Sequence, residues 1–111
     1  MPRAQVRRCL VEKVDVAMGC DGACSSDGQD MTEAIKIATL VSTLNTPEYR
    51  EWLSAREALR LAYEGGAAAV GLRGKAGAIA VGMLADLTLW DPREPHRRPD
   101  CHRFDLRVPP I

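Results

Sequence analysis

An α/β fold is what this sequence predicts, and three observations carry the prediction. Residues 14–18 form a short apolar run, broken only by Asp15, that ends in Gly19-Cys20-Asp21-Gly22. That is how a strand buried on both faces runs into a turn. Two stretches with apolar residues three and four apart then follow, the spacing of amphipathic helices. From Gly77 the period changes, and residues 87–90 alternate as a strand does.

The elements follow in chain order. Residues 3–12 place Val6, Cys9 and Leu10 on one side of a short helix, with an arginine face that reads as solvated. The strand at residues 14–18 comes next. Residues 22–29 are small and polar, the composition of a loop. Asp30 opens a helix as its N-cap, with Glu33 three positions on in a capping-box arrangement. Ile37, Leu40, Val41 and Leu44 form its apolar stripe, and Asn45-Thr46-Pro47 closes it, because the residue before proline disfavours the helical region.

Ser54 and Glu57 form a second capping box, and Leu53 is placed to staple onto Ala58. Leu59, Ala62 and Tyr63 continue that helix, and Gly65-Gly66 is expected to end it through a left-handed cap. Alanine-rich residues 67–72 add a further turn or two. Trp52 and Tyr63 read as core or rim packing. Residues 77–82 read as a strand or an extended turn, and residues 85–91 as a strand. The last 21 residues hold five of the seven prolines, both histidines and five arginines, and read as an irregular tail.

Composition bounds the function. The 111 residues suffice for one small domain, 46% are hydrophobic, and only 5% are aromatic, so a core must be aliphatic. Fifteen basic residues balance fifteen acidic ones, which gives no electrostatic case for nucleic acid or a membrane surface. No apolar run approaches the ~18–20 residues that cross a bilayer. No secretory leader is visible, so the expected compartment is the cytoplasm. The four cysteines, Cys9, Cys20, Cys24 and Cys101, form no CxxC pair and are expected as free thiols. A zinc site made of the four thiolates, or of Cys20, Cys24, Cys101 and His102, is an alternative with poor spacing.

Asp21 is the candidate functional residue. In a parallel sheet or barrel, the residue just past a strand's C-terminal end faces the functional side of the fold, where a carboxylate serves as metal ligand or general base. The competing reading is plain: Asp-Gly is a common turn pair.

The string Val16-Ala17-Met18-Gly19-Cys20-Asp21-Gly22, with Ser25-Ser26-Asp27 and Asp30-Met31, resembles the metal-dependent amidohydrolase superfamily. The likeness is to its cytosine/guanine deaminase and chlorohydrolase-like branch. Two further blocks agree in the same order. They are residues 53–59 with Gly65-Gly66-Ala67 and Val70-Gly71-Leu72, and the Gly77-Ile79-Gly82-Ala85-Asp86-Leu87 pattern. The resemblance covers roughly residues 5–91.

What the resemblance implies is an α/β fold that is the C-terminal fragment of a (β/α)8 barrel, with part of an appended β-sandwich. Residues 1–76 would be the last barrel strand and its helices, residues 77–91 sandwich strands, and residues 92–111 the divergent tail. It also implies a hydrolase that breaks a C–N or C–Cl bond on a heterocyclic ring, with a divalent metal, zinc or iron, as cofactor. Asp21 would be both metal ligand and proton acceptor. Gly22, Ser25, Ser26 and Asp27 would lie in the loop beside a small heterocyclic substrate.

The family also uses a His-x-His pair and later histidines, all N-terminal to the matched region. The histidines here, His96 and His102, fall in the tail and are expected to be solvated. The chain alone is therefore expected to be inactive and to hold no stable metal. Expected partners are the missing N-terminal part of the barrel or a second copy. The alternative is a non-catalytic remnant or interaction module, prone to associate through open strand edges.

Overall fold

The computed structural model describes residues 4–26 and 28–90. Within them lie helices α1 (Val6–Val11), α2 (Ala23–Ser26) and α3 (Met31–Ser42), then a 3-10 turn at Tyr49–Glu51. Helix α4 (Ala55–Arg60) runs directly into a π-helical turn at Leu61–Gly65 and on into α5 (Gly66–Ala69).

The helix starts follow the sequence. The Asp30 side chain caps α3 by accepting from the Thr32 N–H at 2.8 Å. The Ser54–Glu57 capping box is complete, with the Glu57 carboxylate accepting from both the backbone N–H and the hydroxyl of Ser54. Leu53 and Ala58, the expected staple, share one buried cluster with Leu61. Val6 and Leu10 of α1, Val16 and Met18 of the first apolar run, and Ile35 and Ala38 of α3 pack against that cluster. Buried hydrophobics are few among the described residues: Leu53, Ala58, Leu61 and Ala67. Trp52 and Tyr63 sit at the rim, and the Trp52 indole N–H donates to the Thr46 carbonyl at 2.9 Å.

Four expectations are corrected. First, there is no β-strand among the described residues. Residues 14–20 and 84–90 carry no regular structure, and of the two forms expected for residues 77–82 the turn is the one taken, with bends at 77–78 and a turn at 81–82. A strand exists through its ladder to a neighbour, and these runs do not pair with each other. Ile79, Val81 and Leu89 are left at least nine-tenths exposed.

Second, the α3 stripe points away from the core. Ile37, Leu40, Val41 and Leu44 are exposed, while Ile35 and Ala38 supply the packed face. The helix is apolar on two sides, and the 3–4 spacing picked the outer one. Third, the loop after Asp21 contains a helical turn, α2, started where the Ser25 N–H donates to the Gly22 carbonyl at 3.0 Å.

Fourth, Gly65 and Gly66 do not stop their helix. Their φ values are −63° and −58°, and helix continues to Ala69. The left-handed residue lies further on, at Gly71 with φ 78°. Gly65 serves close approach instead of a left-handed turn. A Cβ built there would stand 2.3 Å from the Val16 carbonyl oxygen. The expected tail, residues 92–111, lies outside the described residues.

Candidate functional site

Residues 14–22 run from the core to an exposed loop. Three contacts fix the run at its start. The Val14 N–H donates to the Cys9 carbonyl at 2.8 Å, tying it to the end of α1. Asp15 pairs with Arg73. Val16 and Met18 rest on the Leu53–Ala58–Leu61 cluster, with the π-helical turn against the backbone of Val16 and Ala17.

The run ends at Asp21, which is exposed and adopts a left-handed φ of 59°. Aspartate tolerates that conformation better than most residues because its short side chain bonds locally. Here Oδ1 accepts from the Gly22 N–H at 2.8 Å. The Gly22 carbonyl accepts the Ser25 hydroxyl at 2.9 Å. Asp21 therefore takes the turn that Asp-Gly predicts, with its carboxylate at the tip and open to solvent.

The other sequence-derived site residues distribute unevenly. Gly22 and Ser25 belong to this turn, Ser26 closes α2, and Asp27 lies outside the described residues. Cys9 is half-buried and Cys24 exposed, both without disulfides. His96, Cys101 and His102 lie outside the described residues. No group of three or more His, Cys, Asp or Glu that could hold a metal occurs among the described residues. A catalytic zinc takes about three protein ligands. The carboxylate of Asp21 has the right chemistry for a divalent cation, but the described residues bring it no companions, so no step through a metal follows from them.

Sequence reasoning missed the strongest polar contact. Arg7, read as part of a solvated face, forms a two-pronged pair with Glu57 at 2.7 and 2.9 Å. It also donates to the carbonyls of Glu51 at 3.0 Å and Trp52 at 2.7 Å. The Arg7 hydrogen bonds hold the Glu57 carboxyl at about 2, against an ordinary 4.5, with the Ser54 bonds acting in the same direction and partial burial opposing them. The same bonds push the Arg7 guanidinium up. Glu57 was legible as a cap. Its partner lies 50 residues away, and no local pattern connects them.

This pair lines an open groove of about 360 Å³ between α1, residues 14–16 and α4. Arg60–Glu64 and Arg73–Asp15 are ion pairs on the same wall. Each charge has its opposite, so the groove is a brace between elements and carries no net attraction for an ion.

Residues 2–109 match the amidohydrolase family. The chain belongs to that family. It is 41% identical over 103 residues to a 5-methylthioadenosine/S-adenosylhomocysteine deaminase of Pelotomaculum thermopropionicum, covering 93% of this chain and 23% of that protein. It is 37% identical over 94 residues to a 5'-deoxyadenosine deaminase of Methanothermobacter thermautotrophicus, covering 85% of this chain and 21% of that one. A Moorella thermoacetica 5-methylthioadenosine/S-adenosylhomocysteine deaminase is 38% identical over 96 residues, 86% of this chain and 22% of the relative. The chain thus spans under a quarter of the length of these relatives. No solved structure matches. Among the described residues, no helix is long and apolar enough to cross a membrane.

Proposed function

We propose that this chain is the metal-ligand-bearing final quarter of a deaminase that hydrolyses the C–N bond of an exocyclic amine on an adenosine-type nucleoside. The observation that carries the reading is Asp21. Its carboxylate stands exposed at the end of an apolar run, in the one string the chain shares most visibly with the amidohydrolases. The names of the relatives support the substrate class, which is narrower than the heterocyclic ring that the sequence resemblance implies.

In this reading, residues 1–76 complete the barrel, residues 77–91 join the appended sandwich, and the other ligands of a zinc or iron come from the remaining three-quarters of the fold. The metal, when bound, supplies an activated water. Asp21 would be one of the residues holding that metal and would accept the water's proton, and the turn of Gly22 and Ser25 keeps the carboxylate exposed. Among the described residues Asp21 is the one such ligand, and the chain by itself is expected to turn over no substrate.

The test is a hybrid in which residues 2–109 replace the matching quarter of the Pelotomaculum deaminase. It should bind about one divalent metal and release ammonia from methylthioadenosine. Asp21→Asn in that hybrid should lower kcat by at least about 10³-fold, the range seen when a catalytic group that acts on the water is removed, and metal content should fall with it. Full activity and full metal content in the Asp21→Asn hybrid would remove the assignment.

A second reading has its own observation. Ile37, Leu40 and Val41 on α3, Leu44 just after it, and Ile79, Val81 and Leu89 further on, are exposed apolar residues on a chain this small, which favours a non-catalytic module that associates. Sedimentation of the isolated chain separates the two: a concentration-dependent dimer supports association, and a monomer at all concentrations opposes it.

A further inference from the structure

The geometry points to Gly65 as the positioning residue for Asp21. Its missing side chain lets the π-helical turn seat against the backbone of Val16 and Ala17, and that seating sets where the loop begun by Asp21 stands. The inference rests on the reading of Asp21 as the ligand-bearing position.

Three observations carry it. A Cβ at Gly65 would lie 2.3 Å from the Val16 carbonyl oxygen, 3.3 Å from its carbon and 3.4 Å from the Ala17 Cα. All three are backbone atoms, so no side chain can swing aside. Relief requires the run to move by about 1 Å, the gap between that approach and ordinary van der Waals contact. Next, residues 14–20 form no ladder, so nothing of the kind that holds a strand in register resists that movement. Last, the turn at Leu61–Gly65 is π-helical. A π turn carries an extra residue and pushes the helix surface outward locally, and it does so where the run must be met.

The far side of the same turn repeats the arrangement. A Cβ at Gly77, with φ 92°, would stand 2.7 Å from the Tyr63 carbonyl oxygen. The turn is thus clamped between two backbone segments, each admitted by a glycine. Gly66 is the internal contrast, since it is helical too and a Cβ there meets nothing within 4 Å. Displacement of about 1 Å at a catalytic ligand can cost about a hundredfold in rate, so this contact links a helix turn to chemistry it never touches.

The experiment uses the 111-residue chain with amide hydrogen exchange and assigned amide resonances. Gly65→Ala should speed exchange across residues 14–22 by a factor of about 5–30. It should also shift the amide signals of Asp21 and Gly22, with α3 protection unchanged. Gly66→Ala should leave residues 14–22 as they are. Should Gly65→Ala not fold, the wild-type chain decides: a through-space cross-peak between the Gly65 and Ala17 α-protons is expected. A missing cross-peak, or equal effects of Gly65→Ala and Gly66→Ala at residues 14–22, overturns the proposal. Neither readout involves a metal, so failure here leaves the assignment of Asp21 standing, and failure of the hybrid assay leaves the contact standing.

Discussion

The helices of this chain and its apolar runs at residues 14–20 and 84–90 are built from similar residues, yet only the helices acquire regular structure. The difference lies in where the hydrogen bonds go. A helix pairs its backbone groups within itself, so α3 and α4 form wherever capping and one packed face suffice. A strand exports every backbone group to a neighbour, and the described residues hold no neighbour. Local structure that is self-contained forms among these residues, and structure that depends on shared edges does not.

The largest expected effect tests the helical side. Leu61→Ala removes a nearly buried side chain from the cluster on which α1, α3 and residues 16–18 converge, and should cost about 2–5 kcal/mol. That is a large share of the stability of a small domain, so circular dichroism should show lost helix at room temperature. Leu89→Ala, at a fully exposed position in a run without regular structure, should change the melting midpoint by no more than about 0.5 kcal/mol equivalent. Comparable losses from both would mean that the run at 84–90 is packed after all.

Smaller in size, and sharper about what joins the two regions, is Glu57→Gln. It weakens the capping box and the Arg7 pair together and should cost about 1 kcal/mol. Its pH signature has a defined sign. The carboxyl sits near 2 in the fold against an ordinary 4.5. Its contribution is therefore complete above about 4.5 and is lost as the pH falls from there towards 2. Acid titration of helix content should show that loss in the wild type, and the Glu57→Gln chain should lack it. Identical acid profiles would mean that Arg7 and Glu57 are not paired in solution. The smallest effect belongs to Arg8→Ala, which removes an exposed pair with Glu12 and should cost under about 0.5 kcal/mol.

Much of the fold was legible. Ser54, Glu57 and Asp30 declare helix starts because capping is a local reaction between a side chain and the next few N–H groups. Three positions show what local reading misses. Gly65 looked like a stop signal, but its purpose is set by a backbone fifty residues earlier in the chain. The outer stripe of α3 outscored Ile35 and Ala38, because periodicity finds a face without saying what lies opposite it. Arg7 looked solvated because its partner is remote. At the site, Asp21 and its turn were legible from the Asp-Gly pair and the run before it. The further ligands that the proposed metal would need beside Asp21 were not, since such ligands converge from strands distant in sequence.

The bridge from Arg7 to Glu57 also fixes an order of events during synthesis. Helix α1 is six residues long, too short to persist alone, and its anchor on α4 is 50 residues downstream. At about 5–20 residues per second, α1 waits roughly 3–10 seconds after it is made before its carboxylate partner exists. For that interval Val6 and Leu10 have no cluster to rest on, so α1 is made well before the segment that secures it.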